Sequence, residues 1–170
     1  TAIVTCFWSF LNVEEGTMVF LKNTNRALMA LVLALFDSAS KTKSIICVIL
    51  AFICQNESDN QGCKSVVSAL EAASLIKHEP HLLHHLVQCT LCLVPETTME
   101  NSCAPYEYRV NVLMFFNVLL ETCDAVTRVK LRRIWLQMNL IENLKKLDLA
   151  QNNSDFVAQL TLLQDILNDE

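Results

Sequence analysis

The sequence predicts an all-α fold, arranged as an α-solenoid of paired helices. Only two glycines and three prolines occur in 170 residues, which leaves few tight turns of the kind that β-hairpins need. Apolar residues recur at helical spacing along most of the chain, and short polar connections separate the periodic segments. Hydrophobic residues make up 52% of the chain and charged residues 18%, so we expect a packed helical core with some apolar surface left exposed.

Periodicity and capping residues set the expected helices. The opening apolar stripe ends before Gly16, which can take the left-handed conformation that follows a helix end. Thr24 or Asn25 can cap a later helix by accepting from its free backbone donors, and Pro80 suits a first helical position, where its missing donor would be unpaired anyway. The predicted helices are a stripe on Ile3, Phe7, Phe10 and Leu11, then Thr17–Lys22, Arg26–Phe36, Thr42–Cys54, Cys63–Lys77, Pro80–Val94, Tyr106–Thr122, Ala125–Met138, Leu140–Ala150 and Asp155–Leu167.

The connections between these helices are short and polar. Asn56–Gly62 is a loop by composition, Pro95–Pro105 is the longest irregular connection, and Asn152–Ser154 marks the last break. Thr42–Cys54 is apolar on all sides, which predicts burial on both faces, as in the inner helix of a stacked repeat. Paired helices of this length, each with one apolar stripe, indicate a single solenoid domain over residues 1–170.

The sequence argues against membrane insertion and secretion. The two most apolar stretches, Ala27–Phe36 and Ser44–Ile53, are separated by a polar segment, and neither approaches the roughly 20 residues of a bilayer span. Thr1–Leu11 is apolar but has no basic leader, so we interpret it as the start of a fragment and not as a signal peptide. The eight cysteines mostly fall within apolar helical patterns, which is typical of free buried thiols in a reducing compartment. We therefore expect a cytoplasmic protein.

One group of potential metal ligands follows Pro80. His81, His85, Cys89 and Cys92 share one face of a helix that begins at this proline. Four ligands spread along about 16 Å of one helix cannot converge on a zinc ion, which needs each ligand within about 2.3 Å. Core cysteines and solvent-facing histidines are therefore favoured, and a zinc-dependent helical protein is kept as a third hypothesis.

The sequence contains no catalytic motif. It has no Gly-x-Ser-x-Gly elbow, no glycine loop that would cradle a phosphate and no paired metal-binding carboxylates. Two glycines could not build most of these motifs. We predict that the chain is not an enzyme and that it uses no cofactor and no metal.

A basic run stands out in a chain whose formal net charge is -5. Arg128, Lys130, Arg132 and Arg133 lie close together, with apolar residues between them. Nucleic-acid binding fits poorly, because the total charge is acidic and no stacking aromatics are interleaved with the basic residues. Such a stripe is usually solvated or neutralised by carboxylates of a neighbouring element, and an acidic protein partner is the alternative.

Asn117 is the most unusual polar residue, because it lies between Phe116 and Val118 in an otherwise apolar helix. A buried amide without a partner would cost about 1–3 kcal/mol, so the side chain needs a hydrogen bond. Two interpretations are open. In the first, Asn117 bonds to the backbone of an adjacent repeat; in the second, it faces a groove and pairs with a ligand peptide.

Several segments occur in an order and spacing that resemble a known family. They are Phe10–Asn12 followed by Gly16, Ser40–Lys43 followed by a helix with Ala51 and Cys54, Lys77–Pro80 followed by Leu82 and Leu83, and, in the closest-matching last third, Tyr108–Leu113, Phe116–Leu120, Arg128–Arg132 and Val157–Leu160. The family is the formins, the actin-nucleating proteins, and the matching part is their diaphanous inhibitory or formin homology 3 region. The resemblance extends over most of the chain and implies an armadillo-like fold.

The resemblance also implies a function. Such regions hold an amphipathic autoregulatory helix from the carboxyl end of the same protein, and this contact inhibits actin assembly. Binding of a Rho-family small GTPase on the amino-terminal side releases that helix. The chain would then be a cytoskeleton-associated regulatory module that acts on actin indirectly, through the full-length protein.

By position, the resemblance places a peptide-binding groove and a GTPase side. The groove residues are Ile46, Ile49, Leu50, Ile53, Met114, Asn117 and Val118, and the GTPase side is represented by Asn12. An apolar groove of this kind would receive leucines of the partner helix. Val118 stands where the family usually has a small residue, so the groove is expected to be narrower. In the Phe10–Gly16 segment, Val13 replaces a family asparagine.

The segments that flank the region in formins are expected to be missing. Without the preceding GTPase-binding segment, the fragment should bind a GTPase weakly or not at all, and without the following dimerisation segment it should be monomeric. The alternative to a formin module is a generic armadillo or HEAT adaptor scaffold that binds another helical peptide. A formin homology 2 domain further along the full-length chain would decide between the two.

Overall fold

The computed structural model describes residues 24–37, 39–55, 61–91, 105–148 and 153–168, together with positions 5, 6 and 9. Within these ranges the regular secondary structure is entirely α-helical, without a β-strand, so the predicted all-α class is confirmed. The predicted opening stripe and the helix Thr17–Lys22 lie outside the described ranges, apart from positions 5, 6 and 9, which are helical. The helices are α1 Thr24–Asp37, α2 Ser40–Gln55, α3 Gln61–Ile76, α4 His84–Leu91, α5 Pro105–Thr122, α6 Ala125–Gln137, α7 Leu140–Asp148 and α8 Ser154–Asn168.

Helix boundaries agree with the sequence prediction to within one turn, with one exception. The exception is α4, which begins at His84 and not at Pro80. Leu83 has a φ angle of 63°, in the left-handed region, and a right-handed helix cannot continue through such a residue. The backbone N–H of His85 donates to a carboxylate oxygen of Glu79 at 2.6 Å, so this acid satisfies one of the free donors of the first turn. Val94 and Cys92 lie outside the described ranges.

Packing partners recur at every third helix. The most extensive contact joins α2 to α5, and α5 in turn packs against α8. In a second series, α1 contacts α4 and α4 contacts α7, while α3 lies against both α1 and α2. A salt bridge of 2.7 Å between Lys130 and Glu71 connects α6 to α3. The core therefore forms one continuous cluster from α1 to α8.

The helices of the described ranges are all too short or too polar to cross a bilayer. Ten of the 16 residues of α2 are buried, but Lys41 and Gln55 are exposed and Ile45 and Val48 are half-buried, so the predicted burial on both faces is only partly met. Around α5, Phe116 packs on the Trp135 indole with 4.6 Å between ring centroids. These aromatic contacts add about 0.5–1.5 kcal/mol to the burial of the two side chains, and they fix α6 against α5.

Candidate protein-binding groove

A groove runs between the solvent-facing sides of α2 and α5. It is lined by Lys41, Ser44, Ile45 and Val48 of α2, by Glu107 and Asn111 of α5, and by Thr5, and it has a volume of about 190 Å³. We call it the α2/α5 groove. Its floor contains apolar side chains, while the exposed residues Lys41 and Glu107 carry opposite charges. An apolar floor with charged residues beside it is the surface that an amphipathic helix needs.

One hydrogen bond joins the two helices beside this groove. The side-chain amide of Asn111 donates to the hydroxyl of Ser44 at 2.7 Å, across 67 residues of sequence. Ser44 is buried and Asn111 is half-buried, so the bond is largely shielded from water. We expect it to hold α2 and α5 in a fixed register, because a buried hydroxyl without a partner costs about 1–3 kcal/mol.

The groove residues predicted on α2 belong to the core and not to the groove. Ile46, Ile49 and Leu50 are 0% exposed and Ile53 is 2% exposed, so these side chains are closed to a ligand in this arrangement. The side chains one position earlier, Ile45 and Val48, line the groove. The predicted residues and the groove-lining residues lie on different faces of α2, because this helix has apolar residues on both faces and periodicity alone does not rank them.

The groove residues predicted on α5 are divided between the groove side and the core. Met114 is half-buried and follows Asn111 by three residues, which places it one turn further along the same side of α5. Val118 is buried, with 7% of its surface exposed, so it contributes to the core. Asn12, the residue assigned to the GTPase side, lies outside the described ranges.

The side chain of Asn117 forms hydrogen bonds that connect two helices. Its amide nitrogen donates to the backbone carbonyl of Gln159 at 3.0 Å and to the side-chain oxygen of Gln159 at 2.8 Å. The side chain is buried, and it joins α5 to α8. The amide nitrogen thus bonds to the backbone of another helix, as the first interpretation requires, and is engaged inside the protein instead of facing a ligand; that the two helices belong to adjacent repeats stays a prediction.

The basic run on α6 also has mainly structural partners. Arg128 donates to the carbonyls of Leu120, Glu121 and Cys123, at 2.7, 3.2 and 3.1 Å. It thereby supplies hydrogen-bond donors to backbone carbonyls at the carboxyl end of α5. Arg132 donates to the Leu167 carbonyl at 2.6 Å near the end of α8.

The two remaining basic residues of the run are both exposed. Lys130 pairs with Glu71, whereas Arg133 extends into solvent. The structure therefore explains three of the four basic residues by contacts within the fold.

A second apolar surface lies on α6. Val126 is 80% exposed, Val129 55% and Leu136 61%, and their spacing of three and seven residues places them along one side of the helix, with Arg133 between the last two. We call this surface the α6 stripe. Unlike the α2/α5 groove, it is convex, because a single helix supplies all of its residues. Both surfaces are candidates for contact with a partner.

Cys89 and the described histidines after Pro80 are not gathered around a common metal position. His81 precedes α4, and Cys92 lies outside the described ranges. His85 and Cys89 are neighbours, with 3.4 Å between Nε2 and Sγ, but a lysine completes their cluster. Within the part of the chain that the structure describes, no group of three His, Cys, Asp or Glu side chains is arranged to hold a metal ion.

Comparison with known proteins does not assign the chain to a family. No protein-family model matches it, and no curated protein matches it significantly in sequence. The helical architecture and its surfaces are therefore the basis for inferring function.

Proposed function

We propose that the chain is a protein-binding module, and not an enzyme, whose α2/α5 groove holds an amphipathic helix. The observation that carries this proposal is the groove itself, where the apolar residues Ile45 and Val48 share one surface with the charged residues Lys41 and Glu107. Apolar side chains of a partner helix would pack on the floor, and its polar face would remain in water. Recognition of this type places anchor residues at spacings of three and four along the partner.

The fold is proposed to be an armadillo-like solenoid built from repeats of three helices. Packing at every third helix supports this arrangement, because stacked repeats bring equivalent helices together. One repeat would be α3–α5 and the next α6–α8, with α1 and α2 belonging to the repeat before them. In that arrangement α2, α5 and α8 are equivalent inner helices, and the α2/α5 groove lies on the surface that they share. The unit is then a triplet of helices and not a pair.

The resemblance to formins suggests what the partner is. We propose the autoregulatory helix at the carboxyl end of the same protein, whose binding inhibits actin assembly until a Rho-family GTPase displaces it. Support comes from the segment Tyr108–Leu113, part of the closest-matching region, because it contains Asn111 on the groove wall. The alternative is an armadillo or HEAT adaptor that holds a helix from another protein in the same groove.

A peptide titration with two matched variants tests the proposal. The labelled probe is the autoregulatory segment of the full-length protein, followed by fluorescence anisotropy. Val48→Glu places a carboxylate on the groove floor and should weaken binding at least roughly tenfold, about 1.4 kcal/mol. Val129→Glu makes the same change on the α6 stripe and should leave binding unchanged.

The outcomes separate the hypotheses. Binding that Val48→Glu removes and Val129→Glu preserves supports the groove and the autoregulatory partner. A folded wild-type domain that does not bind this peptide favours the adaptor scaffold. Binding lost only in Val129→Glu would reject the groove and assign the contact to the α6 stripe.

A further inference from the structure

A buried lysine, a histidine and a cysteine form a three-membered cluster between α2 and α4, separate from the groove. The Lys43 ammonium nitrogen lies 3.2 Å from His85 Nε2 and 3.4 Å from Cys89 Sγ. The third side of the triangle, from Cys89 Sγ to His85 Nε2, is also 3.4 Å. Each pair of side chains is therefore in direct contact. Lys43 and Cys89 are 46 residues apart in sequence, so tertiary packing creates the cluster.

Lys43 is an unusual residue to find in the interior. It is 7% exposed and lies in the first turn of α2, just before the apolar run that begins at Ile45, and desolvation of a cation is costly. Buried lysines are normally paired with carboxylates. Among the side chains that the structure describes, Lys43 has no carboxylate within ion-pair distance, and its partners are the imidazole and the thiol. Stability alone therefore gives little reason for an amine at this position.

The cluster is held in place and is open on the cysteine side. The His85 ring stacks on Phe36 with 5.3 Å between centroids and an angle of 21°, which fixes the imidazole plane. The backbone N–H of His85 is fixed by Glu79. Cys89 is only partly buried, while Lys43 lies behind it. We take the partial exposure of Cys89 as the route by which a small oxidant reaches the sulfur, and both the Lys43 amine and the His85 imidazole lie against that sulfur.

We infer that Cys89 and Lys43 form an oxidative crosslink, with a peroxide as the oxidant. In the first step, the Cys89 sulfur bonds to one peroxide oxygen, the O–O bond breaks, and the other oxygen leaves as water with the thiol proton. The product is a sulfenic acid, the first oxidised state of a cysteine.

In the second step, Lys43 transfers a proton to His85, and its nitrogen lone pair attacks the sulfur. The S–O bond breaks, the hydroxyl leaves as water with the proton held by His85, and the nitrogen releases one further proton to solvent. The result is a sulfenamide bond that joins α2 to α4, and a thiol reductant would reverse it. Sulfenic acids are known to condense with a backbone nitrogen to a sulfenamide, and we extend that reaction to the lysine amine.

Mass spectrometry of the peroxide-treated protein tests the crosslink. The Cys54 and Cys63 thiols are hydrogen-bonded to one another, and a disulfide between them would also remove two hydrogens. The experiment is therefore done in a Cys63→Ser background. We expect a peptide that joins Lys43 to Cys89, lacks two hydrogens, resists trypsin at Lys43 and returns to two peptides after reduction.

Three variants control the chemistry. Lys43→Met keeps the length of the side chain and removes the amine, so the crosslink should vanish and dimedone should now trap Cys89 as a sulfenic acid. Cys89→Ser should abolish both products. Cys47→Ser removes the buried thiol one turn from Lys43 and should leave the crosslink intact.

Each result bears directly on the inference. A stable sulfenic acid on Cys89 of the wild-type protein, with Lys43 cleaved normally by trypsin, would overturn it. So would a crosslink that survives in Cys89→Ser. Circular dichroism of each variant before treatment verifies that the variant is folded. If Lys43→Met does not fold, wild-type protein with acetylated Lys43 takes the place of this variant. Molecules that carry the acetyl group, identified in the same digest, must contain no crosslink.

Discussion

The amide of Asn117 on α5 holds both the backbone and the side chain of Gln159 on α8. The two hydrogen bonds measure 3.0 and 2.8 Å and span 42 residues of sequence. Because the Asn117 side chain is buried, water does not compete for these bonds, and α5 and α8 are joined by a polar contact in an otherwise apolar interface. This single side chain therefore couples two helices that we place in adjacent repeats.

Removing the Asn117 amide should destabilise the fold. We expect Asn117→Ala to lower the free energy of unfolding by about 1–3 kcal/mol, measured by urea denaturation. Asn117→Asp should cost more, because it brings a carboxylate against two oxygen acceptors. Gln159→Ala should cost less than either, since the backbone carbonyl remains. Equal stability of Asn117→Asp and wild type would contradict this role.

Arg128 and Arg133 should differ in their effect on stability although they are five residues apart. Arg128→Ala leaves the carbonyls at the end of α5 without their donor and should cost about 1–3 kcal/mol. Arg133→Ala, on the exposed side of α6, should change the free energy of unfolding by less than about 0.5 kcal/mol. Thermal or urea unfolding of the two variants is the measurement, and similar losses for both would reject the structural assignment.

Asp124, the residue that caps α6, should contribute to the free energy of unfolding in a way that depends on pH. Its carboxylate accepts from the backbone N–H of Thr127 at 2.9 Å and from the Thr127 hydroxyl at 3.0 Å, and these bonds hold the pKa of Asp124 below its ordinary value. A folded-state pKa below the unfolded value gives stability that is present above the unfolded pKa and is lost as pH falls through the folded one.

The measurement for Asp124 compares unfolding at neutral and acidic pH. The difference in free energy of unfolding between wild type and Asp124→Ala should be constant at neutral pH and should shrink below about pH 4. Asp124→Asn is the matched control, because an amide oxygen can cap the helix without titrating. A difference that grows on acidification would contradict the assignment.

The two faces of α2 should respond differently to truncation. Ile49→Ala leaves a cavity in the core and should cost about 2–5 kcal/mol in urea unfolding. Ile45→Ala, on the half-buried groove side, should cost only a fraction of that. If Ile45→Ala were the more damaging change, the assignment of core and groove faces would be inverted.

Local sequence signals were sufficient to locate the ends of most described helices, but they did not locate the start of α4. Apolar periodicity and polar breaks located the other described helices to within one turn. The start of α4 was missed because Pro80 suits a first helical position. The residue in the left-handed conformation, Leu83, is a leucine and not a glycine, so no local signal marked a break there. The Glu79 carboxylate, which lies five residues before the helix begins, was the available but indirect signal.

Surface features were less predictable than helices, because they depend on tertiary packing. Isoleucines and valines occur on both sides of α2, so the sequence did not distinguish the core face of Ile46 from the groove face of Ile45. Asn117 was identified because an amide in an apolar helix needs a partner. The contact of Lys43 with Cys89 had no local signal, although the spacing of His85 and Cys89 placed those two on one face.

The most direct test of the groove is a methyl NMR titration of isoleucine- and valine-labelled protein with the autoregulatory peptide. Binding in the α2/α5 groove predicts that the methyl signals of Ile45 and Val48 shift with increasing peptide, while those of Val126 and Val129 remain in place. Shifts confined to Val126 and Val129, with Ile45 and Val48 unchanged, would contradict the account and transfer the binding function to the α6 stripe.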